Sequence, residues 1–136
     1  MRVTVNRNAH FNAAHRLYRK DWNDEKNGTV FGKCSNPNFH GHNYELTVSV
    51  TGEIDEKTGF VIDMKILKDL IYNEIETAFD HKNLNVEVEE FRDLNPTAEN
   101  IAVVIWNKLK PHLEPALELA VTLYETPRNF VTYKGE

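Results

Sequence analysis

From His40 onward the even positions read His40, His42, Tyr44, Leu46, Val48 and Val50, while the odd positions read Gly41, Asn43, Glu45, Thr47, Ser49 and Thr51. An apolar row alternating with a polar one has the period of a strand with one buried face. The same alternation, looser, runs over residues 2–15, where Val3, Val5, Ala9, Phe11, Ala13 and His15 share a parity, and it predicts a first strand ending near His15. Between the two strands, Arg16 to Phe39 shows no clear period and reads as a long functional loop. After the second strand, Gly52 to Gly59 is a turn cluster, followed by a short extended piece, Phe60-Val61-Ile62.

The period then changes. Met64, Leu67, Leu70, Ile71, Ile75, Ala78 and Phe79 form one helical stripe, with Asp63 placed to cap it, so a helix is expected from Asp63 to about Phe79. The acidic run Val86 to Asp93 reads as a loop. A second helix is signalled by Asn95-Pro96-Thr97-Ala98-Glu99-Asn100 followed by Ile101, Val104, Ile105 and Leu109, with Pro111 and Pro115 beyond its end. Alternation returns over Leu119 to Thr126, and Pro127-Arg128-Asn129 turns the chain into a closing strand, Phe130 to Tyr133. The expected fold is α+β: four strands in an antiparallel sheet, order ββααββ, with two helices on one face. Such a sheet leaves two open edges, which pairing between subunits would remove.

Composition narrows the function. At 136 residues the chain is expected to be a single domain, 1–136. A net charge of −5 with Lys and Arg scattered argues against a nucleic-acid surface. The first residues have no signal-peptide core and the longest apolar run, Ile101 to Trp106, is too short to span a bilayer, so no membrane role is expected. One cysteine allows no internal disulfide, and the expectation is a cytoplasmic protein.

The candidate chemistry sits where the patterns end. His40 and His42 are two apart on a strand and so project to one side. His15 ends the apolar row of the preceding strand. An isolated strand-end histidine more often bonds backbone than metal, but three on apolar faces can converge on one zinc ion and leave it an open fourth position. Cys34 allows two readings, a fourth ligand of a structural zinc or a free thiol acting as base or nucleophile. For the second task Asp80 and His81, at the end of the first helix, are a carboxylate and an imidazole in tandem; the bland alternative is a solvated helix end. Glu125 shares the parity of Leu119, Val121 and Leu123, so an acid ends an inward row, either already in water or facing a partner.

Five segments in this order, Phe11-Asn12-Ala13-Ala14-His15-Arg16-Leu17, Phe31 to Tyr44, Asp80-His81-Lys82-Asn83-Leu84, Pro96-Thr97-Ala98-Glu99-Asn100 and Tyr124-Glu125-Thr126, resemble the 6-pyruvoyl-tetrahydropterin synthase and 6-carboxy-tetrahydropterin synthase family over nearly the whole chain. The resemblance implies the tunnelling fold, in which subunit sheets join into a trimeric barrel and two trimers stack as a homohexamer. It implies zinc on His15, His40 and His42, a catalytic thiol at Cys34 with Asp80 and His81 as its partners, and a pterin anchored by Glu125 with Thr97 and Glu99 in the pocket lining. Phe39 departs from the small residue usual in the pyruvoyl-type motif, and Ala98 stands where a second threonine is common; both bear on pocket shape. The implied reaction is triphosphate elimination from 7,8-dihydroneopterin triphosphate to 6-pyruvoyl-tetrahydropterin. The same-family alternative also cleaves the side chain, giving the 6-carboxy product and acetaldehyde on the way to queuosine. A reading from another class is a non-catalytic, zinc-stabilised pterin-binding protein in which Cys34 completes the metal shell.

Overall fold

In the computed structural model, which describes residues 1–136, strand β1 (Arg2–His15) pairs antiparallel with β2 (His40–Glu53) along its whole length, from Arg2 opposite Glu53 to His15 opposite His40. Both strands follow their alternation: Ala9, Phe11 and Ala13 are buried on one, Tyr44, Leu46, Val48 and Val50 on the other. β2 pairs in turn with β4 (Glu118–Tyr124), and β4 with β5 (Phe130–Tyr133), both antiparallel. The sheet has a fifth strand that the expected four-stranded antiparallel arrangement lacks. β3 (Lys82–Asn83) runs parallel to β1 against Ala13 and Ala14, so the order is β3-β1-β2-β4-β5 and the sheet is mixed. Two residues carry no periodicity, which is why the pattern of side chains gave no sign of it.

Two further expectations change. The segment between His15 and His40 is not irregular throughout: it contains α1 (Asp24–Phe31) and a 3-10 turn (Gly32–Ser35). α1 has a good start signal, with the Asn23 side chain accepting from the Lys26 N–H and Asp24 and Glu25 in the first turn, but no apolar stripe. Its one buried residue, Asn27, fixes the loop by hydrogen bonds to the backbone of Arg19 and Trp22. Phe60 to Ile62, expected to be extended, belongs to no strand; the Asp55 N–H donates to the Phe60 carbonyl at 2.8 Å and folds this piece back over the turn. The acidic run likewise contains short helical turns, α4 (Leu84–Glu87) and Glu89–Phe91.

The long helix begins at α2 (Met64–Ile71) behind its Asp63 cap, passes through a π turn (Tyr72–Glu76) and ends in α3 (Thr77–Phe79). Leu67, Ile71, Ile75 and Phe79, all buried, recur at strict intervals of four. In a pure α-helix each such step overshoots a full turn by about 40°, so the stripe would rotate off the sheet by its end. A wider π turn takes up that drift and keeps Phe79 inward. Phe79 packs its ring against Phe11 (5.5 Å between centroids) and Phe91 (5.9 Å), which fixes the residue directly before Asp80. α5 (Ala98–Leu109), capped by the Thr97 hydroxyl, buries Ile101, Ala102, Ile105 and Leu109 in the same core.

The other sheet face is polar and laced across strands: Thr4 with Thr51 (2.6 Å), Asn8 with Thr47 (2.7 Å), Asn12 with Asn43 (2.7 Å) and Thr122 with Thr132 (3.1 Å). Phe79→Ala is expected to cost about 3–5 kcal/mol in urea unfolding, the range for deleting a buried aromatic ring; a loss below about 1 kcal/mol would contradict the packing role given to it here.

Candidate metal centre and pterin pocket

The inward rows of β1 and β2 end at the same place. Because His15 lies opposite His40, and Ala13 opposite His42, the parity that buries the strand interiors also brings three imidazoles together at one end of the sheet. Ring centroids are 4.5 Å apart for His15 and His40, and 5.0 Å for His15 with His42 and for His40 with His42. One nitrogen from each ring lies within 4.8 Å of the others. Cys34 stands outside this group.

His15 is fully buried, and its Nδ1 lies 2.8 Å from the Pro96 carbonyl oxygen. A carbonyl only accepts, so Nδ1 carries the proton and Nε2 the lone pair, the tautomer fixing typical of a metal-binding histidine. Tyr44 hydroxyl lies 3.3 Å from Nδ1 and 3.5 Å from Nε2. Both ring nitrogens of His40 and Nε2 of His42 are buried without any hydrogen-bonding partner. Such groups are costly to leave unmatched, and a divalent cation shared by the three rings would satisfy one nitrogen of each. Burial, partly offset by the Pro96 bond and reinforced by the neighbouring imidazoles, lowers the His15 pKa to about 4. Burial and His42 lower that of His40 as well, with Glu125 opposing. His15 and His40 are therefore favoured in the neutral form that a metal ion requires.

Glu125 follows the last residue of β4 rather than ending inside the strand, and its inward parity puts Oε1 3.8 Å from His42 Nε2. Its turn is held by the Glu125 N–H donating to the Asn129 carbonyl at 3.1 Å. Glu125 borders two cavities, one of about 330 Å³ with Thr97, Ala98, Glu99 and Arg128, the other of about 580 Å³ with His42, Asn43, Glu45 and Tyr124. Thr97 thus does two things: its hydroxyl caps α5 and its position lines the pocket. Tyr44, buried beneath, has its hydroxyl pKa pushed well above the phenol range by burial, with Glu125 and then Cys34 adding to the effect.

Cys34 is half-buried in the 3-10 turn, and its carbonyl accepts from the Leu17 N–H at 2.7 Å. The neighbouring Ser35 carbonyl accepts from Arg16 Nε at 2.7 Å, so the two residues after His15 strap the cysteine turn to the histidine end of β1. Sequence reasoning missed this role of Arg16, whose only signal was its place beside a candidate ligand.

Asp80 and His81 lie elsewhere. Asp80 accepts the Asn12 N–H at 2.8 Å and His81 Nδ1 at 2.9 Å, while the His81 N–H donates to the Asn12 carbonyl at 2.6 Å. The Asn12 bond, more than His81, holds the Asp80 carboxyl below its usual pKa. The pair is thereby docked on the β1 edge with the His81 side chain 82% exposed, and within one subunit neither residue bonds Cys34. Two non-glycine residues take positive φ, His81 at 60° and Phe39 at 66°. Both abut proposed site residues, and such strain of about 1–3 kcal/mol persists only where the surroundings impose it.

The chain matches the family described as 6-pyruvoyl tetrahydropterin synthase over residues 4–136. It is 49% identical over 132 residues to the 6-pyruvoyl tetrahydrobiopterin synthase of Pongo abelii, covering 97% of this chain and 91% of that one. It is 31% identical over 147 residues to the 6-carboxy-5,6,7,8-tetrahydropterin synthase of Rickettsia conorii, covering 95% and 98%. The structure of Caenorhabditis elegans 6-pyruvoyl tetrahydropterin synthase superposes with a TM-score of 0.94 at 40% identity, covering 100% of this chain and 97% of that one.

The His15 shift has a measurable consequence in metal-free protein. Its folded pKa, about 4, lies below the unfolded value of 6.5, so between those values the unfolded chain binds more protons. Stability should fall as pH drops through that window, by about 3 kcal/mol in all. The urea midpoint measured from pH 7 to pH 4 should flatten in His15→Gln; an unchanged slope would assign the effect to other groups.

Proposed function

Since the chain belongs to the 6-pyruvoyl tetrahydropterin synthase family, we propose that it is a zinc-dependent lyase that eliminates triphosphate from 7,8-dihydroneopterin triphosphate and forms 6-pyruvoyl-tetrahydropterin. The observation that carries this reading is the convergence of three imidazoles, two of them with buried nitrogens that have no partner, bordered by a carboxylate that faces a cavity. His15, His40 and His42 would hold the ion with a fourth position open, and Cys34, outside the group, stays available as a base. Bound zinc would supply Lewis acidity to the side-chain hydroxyls of the substrate. Glu125 accepts two hydrogen bonds from the 2-amino and ring N–H edge of the pterin, with Thr97 and Glu99 beside it. Cys34 removes a proton from the side chain, and His81, oriented by Asp80, relays protons.

The absence of any bond from Asp80 or His81 to Cys34 within a subunit supports a site shared between subunits. Both sheet edges are open, β5 on one side and most of β1 on the other, and the Asp80-His81 pair sits on the second. We therefore read the assembly as a homohexamer, a dimer of trimers whose sheets join into barrels. We read residues 1–136 as one domain, supported by one contiguous core, and the protein as cytoplasmic. No helix is long and apolar enough to cross a membrane.

The similarity to a 6-carboxy-tetrahydropterin synthase keeps a second product in view, though the higher identity to pyruvoyl-forming relatives favours the first. Mass spectrometry after incubation with 7,8-dihydroneopterin triphosphate should show the 6-pyruvoyl product and triphosphate; acetaldehyde with a 6-carboxy product would transfer the chain to the other branch. Cys34→Ala should retain its metal and lose turnover by about 10²-fold or more. Co-refolding Cys34→Ala with His81→Ala should restore activity that neither variant has alone. Absence of any restoration, in mixtures shown to be hetero-oligomeric, would place the thiol and the imidazole in one subunit.

A further inference from the structure

A cavity of about 360 Å³ is walled in part by Phe39, the residue directly before His40, and Glu125 is not among its lining residues. Its placement follows from the chain: Glu125 adjoins His42, His42 adjoins His40, and Phe39, directly before His40, forms part of the cavity wall. Tyr18, three residues after His15, and Asn95, next to the Pro96 that holds His15, complete that border. Phe39 carries its ring at a φ of 66°, a backbone conformation that glycine adopts freely and a bulky residue does not. The turn before it is tightly closed, with the Phe39 N–H on the Asn36 carbonyl and the Asn38 N–H on the Asn36 side chain.

The rim of this cavity carries cationic side chains. Arg19, Lys20 and Arg92 line it, against Asp21 and Asp93. Arg19 is engaged by Asp21 at 2.9 Å and Arg92 by Glu89 at 2.7 Å, while Lys20 Nζ meets only the Arg92 carbonyl oxygen at 3.1 Å. These ion pairs are exposed and weak, and a polyphosphate, with several charged oxygens, competes effectively for the same donors.

We propose that this cavity is the subsite for the polyphosphate tail of the substrate, with Lys20 and Arg92 as its cationic contacts and Phe39 as the wall between tail and metal centre. The inference rests on the proposed lyase function. A ligand whose pterin edge meets Glu125 and whose hydroxylated carbons lie over the three histidines would reach this cavity where Phe39 adjoins His40. The leaving group then sits on an open, cation-bearing rim from which it can depart.

The test uses the Cys34→Ala protein loaded with zinc, which leaves the ligand unreacted, and calorimetric titration with 7,8-dihydroneopterin triphosphate and with 7,8-dihydroneopterin, zinc content being checked before and after. Adding Lys20→Ala and Arg92→Ala should raise the Kd of the triphosphate ligand at least tenfold and leave that of the unphosphorylated one unchanged. Phe39→Gly should raise the urea midpoint by relieving the backbone while weakening the triphosphate ligand selectively. Glu125→Gln should weaken both ligands alike. If the Lys20 and Arg92 changes leave triphosphate affinity intact while Glu125→Gln weakens both ligands, the subsite is wrong and the lyase reading stands. If neither ligand binds the zinc-loaded protein, the lyase reading fails and the subsite with it.

Discussion

The hydrogen bond from His15 Nδ1 to the Pro96 carbonyl joins two segments far apart in sequence, and most of the site depends on it. It decides which nitrogen of His15 carries the proton and stops the ring from turning. Pro96 is held by the cap region of α5, where Asn100 donates to the Asn95 carbonyl at 2.8 Å and Thr97 caps the helix. The helix start, the pocket lining and the orientation of a metal ligand are thus one unit. A change in the Asn95 to Asn100 segment should be felt at the histidine cluster before it is felt in the core.

The second constraint is the division of labour between the sheet faces. One face carries the core and ends in the histidines; the other is a ladder of paired neutral polar side chains. The satisfied ladder presents few groups that need a covering layer. The unpaired backbone lies instead at the edges, and there the chain places Asp80 and His81.

Much of this was readable from the chain itself. Alternation in residues 2–15 and 40–51 located β1 and β2, and parity alone put His15, His40 and His42 on a common side. The register that makes them meet is a long-range fact, set by pairing of the strands along their whole length. α1 escaped notice because it has a cap but no apolar stripe, and β3 because two residues have no period. The π turn was implicit in the interval of four between Leu67, Ile71, Ile75 and Phe79, although the stripe was read simply as a helix. Asp80 and His81 were correctly placed at the helix end, but no pattern along the chain gives the bonds to Asn12 that dock them on the β1 edge.

The register of β1 and β2 also has a kinetic side. In that ladder His15 and His40 are the pair nearest in sequence, and every other rung, out to Arg2 and Glu53, spans more chain. Closing such loops dominates the folding time of sheets built from distant segments. The narrow end of the hairpin is where the imidazoles are, so an ion that bridged His15 and His40 in the unfolded chain would close the smallest loop in the ladder and leave the remaining rungs to zip from there. The supply of such an ion would then bear on how fast the subunit folds.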